Sequence, residues 1–535
     1  MPAGGRLVGT LFSAQAGMTR GDDPRGSPLP GARPSPGPSA RHGHYMTFDL
    51  LHDPWIPVRH LTGRAPSDEF SLLDVYRRGA DVDLGEYGLL LPALARQVFV
   101  PIVMRALGTP TSVDEWLDLW EFRADCAAAV EEYLQPFEQW FRVGTGLPYG
   151  AWMVQDVGRT SAAFGIEKIL PGAPSGNNVP ITTWAISGDY AVPVPKAVRA
   201  VLVEHCWGTS GRKSSVAGAR STHPGSVGVC GRAQNVMPVG ANLLDTIFLN
   251  VPLIPDGVAD DDLPPWERDL GVAGEVREPR GIMELLTWQS RRIMVYPDDA
   301  GLVTHCVVTA GDGSTGASAI DPHVSWTTNA KGEPTSRKAS RTQPTWHGLP
   351  ALLTPGGSSE TGGAPPQLET LAEGLAVEEP DYPLRLHVSG AIYGDMRATI
   401  AHLTSDIIPT QISLLRANST TRITLDHAVN TVKEARGIVG KLAYKVGEIR
   451  GADDVGAFAN EWRGNLDAAL APRLHGLLLN LEDAGAVSTW VADAVAVSEG
   501  LVGELGTSVP IQIGLARQLP QAESVARRQL RDLLP

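Results

Sequence analysis

Thr424–Arg450 reads TLDHAVNTVKEARGIVGKLAYKVGEIR, a run in which apolar residues recur at helical spacing with polar residues between them. Three more runs of the same kind follow, Phe458–Leu481, Val487–Gly503 and Ile513–Leu534, with only short breaks. Long successive helices joined by short connections pack as an antiparallel bundle, so a four-helix bundle is expected at the carboxy-terminal end. No internal repeat accompanies it.

The pattern differs before about Thr399. Between Leu147 and Gly240 the chain is rich in Gly, Pro, Ser and Asn, and only Ala191–Cys206 reads as a helix. A loop-heavy region of this kind inside a domain is more often functional than inert. Leu243–Val251 reads as a buried strand or helix, and Ile282–Val295 places Trp288-Gln289-Ser290-Arg291-Arg292 ahead of a strand-like end. Upstream, Gly88–Leu107 is apolar over a helical length with an interruption at Pro101, and Val113–Phe141 is a second helical stretch broken at Pro136. Ser71 and Asp74 have the spacing of a capping box, and Phe48–Val58 reads as strand, turn at Asp53-Pro54, and strand. The fold class is therefore α+β, a mixed amino-terminal domain followed by a carboxy-terminal four-helix bundle. The expected division is 1–45 as a disordered tail or a mis-assigned start before Met46, 46–385 as the mixed domain, and 386–535 as a short wedge segment and the bundle.

With 535 residues and 43% hydrophobic content, the chain can bury a large core. Its longest apolar runs fall short of the ~20 residues that span a bilayer, so no membrane is implied. A net charge of −14 excludes a surface that grips nucleic acid all over, though not local basic patches. Cys126, Cys206, Cys230 and Cys306 form no CxxC pair and read as scattered reduced thiols of a cytoplasmic protein. There is no P-loop, HExxH, GxSxG or GxGxxG, so no catalytic residue, metal ligand or cofactor is assigned. Acidic clusters at Asp260-Asp261-Asp262 and Asp298-Asp299 read as solvated turns, and His305 and His323 as separately placed histidines. A hydrolase with an unfamiliar acidic site would have to rest on Asp321 with His323.

Seven segments in fixed order are more specific: Phe48–Val58 (FDLLHDPWIPV), Ser71–Arg78 (SLLDVYRR), Glu167–Thr182 (EKILPGAPSGNNVPIT), Gly208–Gly218 (GTSGRKSSVAG), Leu244–Asn250 (LDTIFLN), Pro265–Arg268 (PWER) and Pro279–Arg292 (PRGIMELLTWQSRR). Together they resemble the CasA family, the large subunit of the type I-E CRISPR Cascade complex, over most of residues 46–340. The resemblance implies a non-catalytic subunit whose partners are the other Cascade subunits, crRNA, target double-stranded DNA and a separate CRISPR helicase-nuclease. Such a subunit inspects duplex DNA for the protospacer-adjacent motif and helps open it.

On that resemblance, Gly208, Ser210 and Gly211 let backbone approach a minor groove, while Arg212 and Lys213 neutralise phosphates. An ordinary surface loop is the alternative. Ser175, Gly176, Asn177 and Asn178 match a segment that reaches crRNA or an adjoining subunit, with an Asx-type turn as the alternative. Gly390–Ala398 takes the place of a wedge hairpin, where Arg397 and Ala398 stand in for a Gln-Ala pair. A lysine finger expected before Asp321 is missing, since Val303–Ile320 contains no lysine. Lys433, Arg436, Lys441 and Lys445 form a helical stripe that suits a displaced strand or a solvated face, and Arg517, Arg527, Arg528 and Arg531 form a second patch. Trp288 is expected in the core, with Arg291 and Arg292 available to RNA or a neighbouring subunit. A structural Cascade subunit without motif reading is the other alternative.

Overall fold

Ser71 Oγ accepts from the Asp74 amide while the Asp74 carboxylate accepts from the Ser71 amide, the reciprocal cap that starts the Leu72–Arg78 helix. The computed structural model describes residues 47–63, 68–144, 163–171, 173, 190–211, 226–269, 275–314, 321–353, 363–394, 397, 399–416, 419–481, 483–507 and 518–534. All of them belong to one compact unit, Tyr45–Pro535. The expected tail and the start at Met46 lie outside the described residues.

The first two strands feed different sheets. Thr47–Asp49 pairs antiparallel with Arg142–Gly144, whereas Ile56–His60 lies between Asp68–Phe70 and Val82–Leu84. The turn between them is fastened by the Asp49 amide on Asp53 Oδ2 (2.8 Å) and by Trp55 Nε1 on the Leu50 carbonyl (2.9 Å).

Leu90–Leu107 is one helical run of 18 residues, 83% buried inside the fold, so its apolar surface is taken up by the protein core. Its middle, Ala95–Phe99, is a π-turn. Pro101 follows, and its ring would clash with the carbonyl four residues back in a regular α-helix; the wider turn accommodates it. The same turn carries Arg96 and Gln97 inward, both fully buried. Arg96 meets Asp321 through two parallel bonds of 2.7 and 2.8 Å, and Gln97 Nε2 donates to the Leu286 carbonyl (3.0 Å).

Leu243–Val251 resolves as a helix, Leu243–Leu249, capped by Asn242. Arg291–Pro297 pairs antiparallel with Leu302–Ala310, which takes Phe164–Gly165 and Val192–Pro193 on its other edge. A second sheet has the order Ile400–Gln411, Pro383–Tyr393, Asn235–Val239. Its hairpin runs in register from Pro383 opposite Gln411 to Tyr393 opposite Ile400, with one slip beside Ile392. Position 385/386 falls inside the Pro383–Tyr393 strand, which is bonded to Asn235–Val239.

Four helices follow among the described residues: Ser419–Arg450, Val455–Leu478, Ala484–Thr507 and Leu519–Arg531. Gly451, at φ +68°, ends the first in the left-handed conformation, and Asp454 caps the second by accepting from the Ala457 amide. The first helix touches the other three. Its buried residues Ala428, Val432, Ala435, Val439 and Val446 repeat every three to four positions or a multiple. Trp490 Nε1 donates to the Ala428 carbonyl (3.0 Å), locking the third helix to the first. The α+β class with a carboxy-terminal helical bundle is thus the observed one.

Candidate nucleic-acid interface

The Val194–Trp207 helix ends where the Gly208 amide bonds the Glu204 carbonyl (2.9 Å). A Cβ at Gly208 would lie 2.5 Å from that same oxygen, so glycine is required here by the helix end itself. The helix end thus supplies a structural reason for this glycine beside the expected one. Gly211, at φ +128° with open space around its Cα, keeps the expected freedom.

The loop then meets the hairpin. The Ser210 amide donates to the Arg397 carbonyl (2.9 Å), and Tyr393 OH donates to the Trp207 carbonyl (2.7 Å). Two segments nearly two hundred residues apart are thereby fastened side by side. The hairpin tip is closed by Gly394 N on Thr399 O (3.0 Å) and Arg397 N on Gly394 O (2.9 Å). Arg397 is the one non-glycine residue with positive φ (55°) among the described residues, and its side chain is exposed. That conformation costs about 1–2 kcal/mol. Strain of this kind persists where surrounding contacts fix it, as the Ser210 bond does here.

Arg291 corrects another expectation. It is fully buried and does not reach outward. Nη2 donates to the Thr209 and Ser226 carbonyls (2.5 and 2.8 Å), Nη1 to its neighbour Ser290 O (2.7 Å), and Nε faces Glu204 at 3.4 Å. It is an internal strut joining the two ends of the segment whose mouth is closed by Gly228 N on Gly208 O (2.9 Å). Arg292 is likewise buried, and burial pushes its guanidinium down to about 10. Arg291→Met is expected to cost about 2 kcal/mol, because three carbonyls lose a donor, that of Ser290 buried and those of Thr209 and Ser226 half-buried. The urea midpoint measures it, and amide exchange of Thr209 and Ser226 should quicken in step. Trp288 is buried, with Nε1 on the Asp312 carbonyl (3.1 Å) and Arg277 over its ring.

Gly208, Ser210, Gly211 and Arg397 are therefore brought together. Arg212, Lys213, Ala398, Ser175, Gly176, Asn177 and Asn178 lie outside the described residues, as does Arg517. The bundle stripe is split. Arg436 turns inward to Asp467 (2.8 Å), leaving Lys433 and Lys441 exposed and Lys445 half-buried. Among the described residues no hydrogen bond links Lys433, Lys441 or Lys445 to the loop or the hairpin. In the second patch, Arg527 pairs with Glu523 and Arg531 with Glu499.

Asp321 and His323 are both buried. Burial alone would raise the Asp321 carboxyl, but the Arg96 guanidinium holds it below the usual range. Burial pushes the His323 imidazole down to about 4, and its Nε2 lies 3.0 Å from the Asn250 carbonyl. Both groups are committed to the core. Asp262 is also buried, not solvated as expected: it accepts the Met283 and Glu284 amides (2.9 and 2.7 Å) and so anchors the start of the Ile282–Leu286 helix. Among the described residues no three His, Cys, Asp or Glu side chains gather as a metal site.

Two basic features escaped the sequence reading. Ser336–Arg341 (SRKASR) runs beside the hairpin, with Arg341 Nη2 on the Ala401 carbonyl (3.2 Å) and the Arg337 carbonyl accepting from the Gln234 amide (2.7 Å). The other is Arg232, in the Val229–Arg232 turn. Its signal was present: from His205 to Leu244 there is no Asp or Glu, yet Arg212, Lys213, Arg220 and Arg232 all occur, in a chain of net charge −14.

The family model of the CRISPR-associated protein Cse1 matches residues 49–498. The fold is similar to that of Cse1 from Thermobifida fusca (26% identity, 91% of this chain and 98% of that one, TM-score 0.76). It is also similar to Cse1 from Acidimicrobium ferrooxidans (24%, 92% and 99%, TM-score 0.74) and to CasA (Cse1) from Thermus thermophilus (19%, 91% and 99%, TM-score 0.71). A chain of a CRISPR RNA-guided surveillance complex matches at 16% identity over 91% of this chain and 99% of that one, with a TM-score of 0.67. A comparison with curated protein sequences found no match. The fold is that of a large Cascade subunit, and the chain belongs to the Cse1 family, the large subunit of type I-E Cascade.

Proposed function

We propose that this chain recognises the protospacer-adjacent motif in duplex DNA as the non-catalytic large subunit of an RNA-guided surveillance complex. It works in the cytoplasm with the other Cascade subunits and crRNA, aids strand opening, and recruits a separate helicase-nuclease; no membrane takes part. The observation that carries this reading is the bond from Ser210 to Arg397, which fixes a glycine loop against an exposed, strained hairpin tip. Backbone free of bulky side chains beside one projecting guanidinium suits a minor groove, where width and shape are read. Arg212 and Lys213 supply phosphate contacts within the same loop. The missing lysine in Val303–Ile320 favours a second reading, a scaffold subunit that does not read the motif.

The assembled complex separates the two, tested on duplexes with varied flanking bases at several salt concentrations. Arg212→Ala with Lys213→Ala should weaken all sequences about equally and flatten the salt dependence by up to roughly one unit of slope per lost phosphate contact. Arg397→Ala should instead blunt discrimination between flanking motifs. Uniform loss in both variants removes the wedge role from Arg397, and binding indifferent to the flanking bases in the unmutated complex supports the scaffold.

A further inference from the structure

Arg232 follows directly on the contact that closes the loop's mouth. Its Nη1 donates to Ser314 Oγ and its Nη2 to Ser226 Oγ, both at 3.1 Å. Ser226 gives its carbonyl to Arg291 (2.8 Å), so the same serine seats two arginines. The preceding residue, Gly231, is pressed against the hairpin: a Cβ there would lie 2.0 Å from Tyr393 OH, the hydroxyl that bonds Trp207. Arg232 thus lies at the seam between loop and hairpin.

Three guanidiniums share this seam. Arg291 faces Glu204, but among the described residues no carboxylate pairs with Arg232 or Arg397. Partial burial, then the charges of Arg397 and Arg291, hold the Arg232 guanidinium below its usual range. A half-buried cation tied only to neutral hydroxyls, beside two like charges, is unfavourable until an anion joins it. The remaining guanidinium donors suit a phosphate, which takes charge-assisted and often paired bonds from arginine. The seam borders the exposed hairpin tip, so a polymer lying on that tip can bring a phosphate to it.

We propose that Arg232, fixed by Ser226 and Ser314 at the seam between loop and hairpin, takes a backbone phosphate of the DNA duplex whose flanking bases the hairpin meets. This rests on the DNA-reading function proposed above. A contact of this kind sets register and adds affinity, and carries no sequence information.

The test uses the complete complex with its crRNA. Arg232→Gln should bind every flanking motif about tenfold more weakly, with a salt slope shallower by roughly one, and discrimination between motifs unchanged. Arg232→Lys should recover part of the affinity, because it keeps the charge and loses the paired geometry. Single methylphosphonates placed through the flanking duplex then locate the phosphate. At one site the neutral linkage should cost the unmutated complex about as much as Arg232→Gln does, and cost that variant nothing more. Additive losses at every DNA site overturn the proposal. Non-additivity found only with neutral linkages in the crRNA overturns it too, by assigning the contact to RNA. If Arg232→Gln fails to assemble, the same cycle is run with Arg232→Lys. Loss of motif dependence in the unmutated complex would strike at the function itself, a result separable from both.

Discussion

Arg96→Leu is expected to lower the folding free energy by about 3–5 kcal/mol, as removal of one partner from a buried ion pair does. Arg96 is fully buried and Asp321 nearly so, and their two bonds join the π-turn to a residue 225 positions away. Losing the cation leaves a carboxylate in the core whose remaining described bond is the His323 amide on Oδ1 (3.1 Å). The effect should depend on pH, and the sign differs between the two proteins. In the unmutated chain Asp321 has a depressed pKa, so its contribution is present above the ordinary carboxylate range and lost as pH falls through the folded value. In Arg96→Leu, burial is opposed by His323 without the Arg96 charge, and it raises the Asp321 pKa. That carboxyl then favours folding in acid and opposes it as pH rises. The gap in urea midpoint should therefore be wide at neutral pH and narrow toward pH ~4.5. A gap of constant size would show that the damage is a packing void and that the charge is incidental. Asp321→Asn introduced into Arg96→Leu should recover part of the loss at neutral pH by removing the orphaned charge.

The bundle was legible because each helix repeats one apolar stripe, and a stripe is a local property of the sequence. The first helix was even read short by a few residues, since Ser419–Ile423 (STTRI) offers one apolar residue, Ile423, too little for periodicity to register. The capping pair Ser71 and Asp74 was legible for the same reason: the interaction spans three residues. What could not be read is where non-local contacts send a polar side chain. Arg291 and Arg292 follow Trp288 in a stretch that, as sequence, offers cations to a partner; strand pairing turns both inward. Asp262 looks like one of three solvated acids until the Ile282–Leu286 helix is seen to start on it. The loop and the wedge were placed separately on a family resemblance. Their contact rests on a backbone bond from Ser210 to Arg397 and on the Tyr393 hydroxyl donating to the Trp207 carbonyl, and in both the acceptor is a backbone carbonyl that side-chain identity does not announce. The acid-free window around Arg232 was the exception, a compositional signal that net charge had masked.

Asp467→Ala should be the second most costly single change, at about 3 kcal/mol. Asp467 lies on the second bundle helix, buried, with Oδ2 accepting from Arg436 Nε (2.8 Å) and Oδ1 facing His347 Nε2 at 3.2 Å. Arg436 also donates to the Thr342 carbonyl. The short segment Thr342–His347 is thus held by the bundle at both ends. In between, Thr345 Oγ1 donates to Asp406 on the outer hairpin strand, and Trp346 meets Trp490 edge-on at 6.0 Å. One carboxylate therefore helps seat a segment that touches the hairpin on one side and the bundle on the other. Its removal should expose Arg436 without an ionic partner and loosen Thr342–His347. Amide exchange should then accelerate in that segment and along Ile400–Gln411, with the strand Asn235–Val239, on the far side of the sheet, unchanged. Arg473→Ala is the control, because its partner Asp493 is 3.5 Å away and both side chains are more than a third exposed. Such a pair contributes at most about 1 kcal/mol. If Asp467→Ala proves as mild as Arg473→Ala, or if exchange quickens equally in all three strands, the carboxylate does not couple bundle to hairpin.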